Sequence, residues 1–125
     1  KKYGPVAKAG LGNSVAAGDV NGDGFADIIA GAAKDDVAAT LTTKKISDAG
    51  SVSIWRGDDY APIGSAIYGA VSKDYFGTAV SVGDINSDGK DDLIIGVPGF
   101  DIPPAPPAKT IKDAGVVRVL SGAGL

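Results

Sequence analysis

Apolar residues fall in short runs along this chain, each closed by Gly, Asp, Asn or Pro. Ser14–Gly18 and Thr78–Gly83 are small and β-rich. Asp27–Gly31 and Asp92–Val97 are nearly continuous apolar stretches, the pattern of a strand buried on both faces. Ser51–Trp55 and Val116–Leu120 place Ser51, Ser53 and Arg118 between apolar residues, as on a half-exposed strand. Ile63–Tyr68 is a fourth candidate strand. No segment sustains a 3.6-residue apolar period, so almost no helix is expected. The connections Lys34–Ser47 and Gly99–Lys112 are polar. The second carries Pro103-Pro104-Ala105-Pro106-Pro107, which cannot sit in a central strand and predicts an extended, exposed loop.

These runs recur. Shifting the chain by 65 residues aligns 3–60 with 68–125 without a gap, and 22 of 58 positions are identical, enough to treat the two halves as one unit used twice. Tyr3-Gly4 matches Tyr68-Gly69, Gly12 matches Gly77, Gly31 matches Gly96, Asp48-Ala49-Gly50 matches Asp113-Ala114-Gly115, and Gly57 matches Gly122. The units run over 1–67 and 68–125. Three or four strands per unit make a small twisted antiparallel sheet, which buries its faces only by stacking on neighbours. Two such blades are too few to close a ring. Further blades or further copies are expected to complete the stack, and a blade edge is left open at each end.

The most distinctive stretch of each unit joins its first two strands. Asp19-Val20-Asn21-Gly22-Asp23-Gly24-Phe25-Ala26-Asp27 and Asp84-Ile85-Asn86-Ser87-Asp88-Gly89-Lys90-Asp91-Asp92 both read D-x-N-x-D-G-x-x-D. Oxygen-bearing side chains stand at positions 1, 3, 5 and 9 of each, and a Gly follows the third and permits a sharp turn. Ca²⁺ takes several oxygen ligands, backbone carbonyls among them. The predicted ligands are Asp19, Asn21, Asp23 and Asp27 with the Phe25 carbonyl, and Asp84, Asn86, Asp88 and Asp92 with the Lys90 carbonyl. Two Ca²⁺ sites are therefore expected, within loops 19–27 and 84–92. An Asx-rich turn without metal is the competing reading of one such loop; two at equal positions in equal repeats favour Ca²⁺. An EF-hand is disfavoured, because its bidentate Glu would fall on Ala30 or Ile95.

Composition narrows the chemistry. At 125 residues the chain fits one ordinary domain. It has no His, Cys or Met, which removes the usual Zn²⁺, Cu and haem ligands, any disulfide and the commonest general base. A Ser triad would have no base, and the acids lie packed in the loops instead of flanking a cleft, so no enzyme is expected. The formal net charge of −3 and the absence of a basic stripe argue against nucleic acid. No run of 18 apolar residues exists, so no membrane span is expected. Lys1–Pro5 does not read as a signal peptide, although one removed earlier would be compatible with this start. Arg56-Gly57-Asp58 is read as a chance tripeptide. Trp55, Tyr60, Tyr3, Tyr68 and Tyr75 are expected to serve blade packing in preference to sugar stacking.

Phe76-Gly77, followed by Gly83-Asp84-Ile85-Asn86-Ser87-Asp88-Gly89-Lys90-Asp91-Asp92-Leu93-Ile94-Ile95-Gly96-Val97-Pro98, resembles an FG-GAP repeat, the blade unit of integrin α-subunit β-propellers. The first unit is similar, with Leu11-Gly12 in place of Phe-Gly and Ala33 in place of the Pro. The resemblance implies an all-β chain of two tandem four-stranded antiparallel blades, with Ca²⁺ between the first two strands of each. It also implies a place outside the cell or at its surface. Members serve in adhesion, as scaffolds, as lectins and as modules of secreted enzymes. The expected function is a non-catalytic adhesion or ligand-binding module for a protein or glycan. The alternative is a structural subunit whose open blade edges join copies into a ring or filament, as a homo-oligomer or polymer.

Overall fold

The computed structural model describes residues 1–125. Seven strands and one short 3-10 turn, Gly122–Gly124, account for its regular structure. Strands β1 (Ser14–Gly18), β2 (Asp27–Ala32), β3 (Ser51–Trp55) and β4 (Ile67–Tyr68) form one sheet in that order. A second sheet runs β5 (Ala79–Gly83), β6 (Asp92–Val97), β7 (Val116–Leu120). Every pairing is antiparallel. The registers repeat with the sequence: Ala16 faces Ile29 in the first sheet, and Ser81 faces Ile94 in the second.

The fourth strand is shorter than the apolar pattern predicts. Ile63 still donates its N–H to the Ile54 carbonyl at 2.9 Å. Gly64 then adopts φ +65, which turns the chain out of the ladder until Ile67. The second sheet has three strands, because the residues equivalent to Ile67–Tyr68 would be numbered 132–133. The long polar connections carry structure of their own. Val37 bridges Ile46 in the first, and Ile102 bridges Ile111 at the equivalent place in the second.

The sheets stack and share one core. Ile29, Val52 and Ile54 from the first sheet meet Leu93, Ile95 and Val97 from the second, with Val20 and Phe76 between them. The burial is one-sided, which corrects the expectation that β2 and β6 are covered on both faces. Ile29 is fully buried, whereas its neighbour Ile28, pointing to the other side, is 37% exposed. In β6 the order is reversed: Leu93 and Ile95 are buried and Ile94 only half-buried. Each sheet thus uses one face for its neighbour and opposite faces are used in the two repeats.

Glycines set how closely the sheets approach. A Cβ on Gly31 would stand 2.0 Å from the Gly77 carbonyl oxygen, and one on Gly50 would stand 2.1 Å from that of Phe76. Side chains add polar ties across the junction. Ser14 Oγ donates to the Gly77 carbonyl at 2.7 Å, and Asn13 Nδ2 donates to that of Thr78 at 3.0 Å. The two loops singled out by their acids lie at the corners where β1 leads to β2 and β5 leads to β6.

Candidate metal centre

Each loop closes by its own side chains accepting its own backbone N–H groups. Asp19 Oδ1 accepts from Gly22 N at 2.7 Å and Asp23 N at 3.0 Å, and Asp19 Oδ2 accepts from Gly24 N at 2.8 Å. Asn21 Oδ1 accepts from Asp23 N, and Asp23 Oδ1 accepts from Phe25 N, both at 2.9 Å. The second loop repeats the scheme. Asp84 accepts from Asp88 N at 3.1 Å and Gly89 N at 2.9 Å, Asn86 from Asp88 N at 3.1 Å, and Asp88 from Lys90 N at 2.9 Å. These are Asx-type turns in series, and they explain why Asp and Asn occupy alternate positions. Gly24 at φ +89 and Gly89 at φ +85 supply the left-handed corner that follows.

The ninth residue has a different task. Asp27 is wholly buried and Asp92 is 2% exposed. Asp27 accepts from Val20 N and Gly57 N, each at 3.1 Å. Asp92 accepts from Ile85 N at 3.1 Å and Gly122 N at 3.0 Å. Each carboxylate therefore ties the start of its loop to the end of the blade's third strand. The Gly122 N–H, ahead of those of Ile85 and Asn86, holds Asp92 below the ordinary aspartate range and outweighs the opposing effect of desolvation.

The donor set is chemically suited to a hard cation: carboxylates, an amide oxygen and a backbone carbonyl around one turn, with no nitrogen or sulfur ligand. The carboxylates do not, however, draw together into a group of three around one point. Loop N–H groups hold them, and the Asn21 and Asn86 amides donate to Asp23 and Asp88 at 2.9 and 3.0 Å. Phe25 and Lys90 take part through their N–H groups, which cap Asp23 and Asp88.

Two residues that the sequence reading left unassigned shape this region. Arg56 donates from Nε and Nη2 to Asp58 at 2.9 and 2.6 Å, and its Nη2 also reaches Asp23 Oδ2 at 3.4 Å. Its guanidinium holds the Asp58 carboxyl down at about 2. The Arg-Gly-Asp tripeptide is thus closed on itself, with Gly57 N on Asp27. Asp91 joins the two loops: its Oδ2 accepts from Asp19 N and its own N donates to the Asp19 carbonyl, both at 2.9 Å. The signal for it lay in the repeat, since Asp91 stands where the first unit has Ala26. The aromatic residues depart from expectation. Tyr3, Tyr60 and Tyr68 are 80, 57 and 42% exposed, and Lys2 Nζ lies 5.8 Å from the Trp55 ring centre. They are surface residues instead of packing between blades.

The family model for the FG-GAP repeat matches residues 11–55 and 76–120, which span β1 to β3 and the Phe76-Gly77 start through β7. Integrin alpha-V of Gallus gallus is 39% identical over 93 residues, covering 72% of this chain and 8% of its own length. Integrin alpha-8 of Homo sapiens is 37% identical over 90 residues, and integrin alpha-5 of Xenopus laevis 36% over 90, each covering 72% of this chain. The chain spans less than a tenth of the length of these curated relatives. With two matched repeats folded as two stacked antiparallel sheets, the chain belongs to the FG-GAP repeat family.

Proposed function

We propose that this chain is a calcium-stabilised, non-catalytic module that works outside the cell in adhesion or in binding a protein or glycan ligand. The carrying observation is the pair of matched all-oxygen loops at equivalent corners of the two sheets. Asp19, Asn21, Asp23, Asp27 and the Phe25 carbonyl would hold one Ca²⁺, and Asp84, Asn86, Asp88, Asp92 and the Lys90 carbonyl the other. The bound ion would supply charge neutralisation, and the loop would exchange internal N–H contacts for ligation. That role is structural: an ion that binds only the folded chain adds to its stability by mass action. The integrin relatives support the adhesive reading. No helix is long and apolar enough to cross a membrane.

Melting with Ca²⁺ against melting with EGTA tests the metal. The melting temperature should rise with Ca²⁺, and Asp88→Ala should remove much of the shift; no shift in the parent chain would overturn the assignment. For the ligand, an array of matrix proteins and glycans should return binding that EGTA abolishes. Uniform silence would sink that half of the reading.

A second reading has its own support. The chain would be a structural subunit that joins copies through open blade margins, because β7 is an unpaired edge and the outer face of its sheet carries Val117 and Val119 at 65 and 55% exposure.

A further inference from the structure

The internal junction acts as a template for a second, external one. In the first repeat, Ala16, Ile29, Gly31, Val52 and Ile54 form the face that the second sheet covers. Their counterparts 65 residues on are Ser81, Ile94, Gly96, Val117 and Val119, and this face is open. In the second repeat, Phe76, Val80, Leu93 and Leu120 pack into the junction. Their counterparts Leu11, Val15, Ile28 and Trp55 lie on the outer side of the first sheet, with Val15 66% exposed. The molecule therefore carries both halves of its own junction, unpaired, at opposite ends.

Three glycines separate this from an ordinary solvent-facing sheet. A Cβ on Gly31 would stand 2.0 Å from the Gly77 oxygen, on Gly18 2.5 Å from Val82 Cγ2, and on Gly69 2.1 Å from the Ala49 oxygen. Their counterparts Gly96, Gly83 and Gly4 meet no such obstacle. The nearest atom to a Cβ on Gly96 or Gly4 is 3.4 Å away, and Gly83 has none within 4 Å. None of these three has a left-handed φ. Nothing inside the chain requires glycine there, whereas the close approach of another backbone does.

We propose that a second copy of this chain docks head to tail on the open face of the second sheet and completes it. Its Lys2–Tyr3 adds to β7 as Ile67–Tyr68 adds to β3. From the observed pairs Ser51–Tyr68 and Val52–Ile67, the second copy's Tyr3 stands opposite Val116 and its Lys2 opposite Val117. Its Leu11, Val15, Ile28 and Trp55 then cover Ile94, Val117 and Val119. This is strand addition at an open edge combined with a heterologous contact between unlike surfaces. It deepens the second reading above and rests on it. The external contact is weaker than its template, because two polar ties lack counterparts: Ala26 replaces Asp91, and Ala79 replaces Ser14. Association is accordingly concentration-dependent.

The absence of cysteine allows a clean trap. Oxidation of a Tyr3→Cys/Val116→Cys variant should give a ladder of covalent multimers, while either single variant stops at dimers. Sedimentation over a concentration series should show the parent chain associating. Gly83→Ala/Gly96→Ala should remain monomeric with an unchanged melting temperature at high dilution, since both sites have room for a methyl within the monomer. A parent chain that stays monomeric up to its solubility limit would overturn both the contact and self-assembly itself. A parent chain that assembles, yields no ladder and is indifferent to the glycine substitutions would overturn this contact and leave assembly standing. Neither result touches the calcium assignment, which the EGTA melting shift reads independently.

Discussion

The two repeats share a fold but not an environment. Ile29 and Ile94 occupy the same register position opposite Ala16 and Ser81, yet the first is fully buried and the second only half-buried. Gly31 and Gly96 share a place in the strand, yet only the first is clasped by a neighbouring backbone. An FG-GAP blade is thus two-sided, and a given side is core or surface according to whether a neighbour is present. The residue type at such a position reports the stack for which the unit is built and not the exposure that one copy happens to have.

The sharpest way to break that comparison is the glycine pair. Gly31→Ala forces a methyl onto the Gly77 oxygen and should cost about 3 kcal/mol or more, as an overpacked junction with little room to relax does. Gly96→Ala should fall within about 0.5 kcal/mol of the parent when measured on dilute monomer. Equal effects in urea melts would show that the two faces do not differ as described.

The buried carboxylates come next and should behave alike. Removing Asp27 strands the N–H groups of Val20 and Gly57, and removing Asp92 strands those of Ile85 and Gly122. Each Ala variant should lose about 2–4 kcal/mol in metal-free buffer, because two buried donors lose a charged acceptor. Hydrogen bonds keep the folded-state Asp92 below the ordinary aspartate range. Its contribution is therefore complete above the unfolded pKa and fades as pH falls through the folded one. Denaturant melts at neutral and strongly acidic pH read this directly: the Asp92→Ala deficit should shrink in acid.

Asp91→Ala tests the junction from its polar side. It removes the acceptor from Asp19 N and should cost about 1–3 kcal/mol, the range for a hydrogen bond to a charged group. The inverse change, Ala26→Asp, adds a carboxylate to an exposed position with no partner and should be neutral in the same assay. The smallest effect concerns the loops. Ser87 holds φ 60 where the first loop has Gly22 at φ 77. Ser87→Gly should relieve that strain and stabilise by up to about 1 kcal/mol, visible as a small rise in melting temperature. A fall would show that Ser87 makes a favourable contribution that outweighs its backbone.

Much of this architecture was legible beforehand because its signals are local. Strand bounds such as Ser51–Trp55 follow from a short β-rich run between turn residues, and they match the structure. The loops announced themselves because alternate Asp and Asn residues are what serial Asx turns require. What escaped were contacts between residues far apart in the chain. Asp91 reads as one more acid in an acidic loop until the second sheet places it beside Asp19. Arg56 reads as part of a tripeptide until its guanidinium is seen to fold onto Asp58 and reach Asp23.

By itself, then, the amino-acid order determined two copies of one small antiparallel sheet, with an acid-rich turn in each. Alternation, turn chemistry and an exact offset of 65 residues are properties of neighbours along the chain. Only the tertiary structure decided which face of each sheet is core. Both faces are apolar in sequence, and the choice depends on which blade lies against which. It also decided that Asp27 and Asp92 serve buried backbone N–H groups, because those donors reach them only when the end of the third strand folds back over the loop.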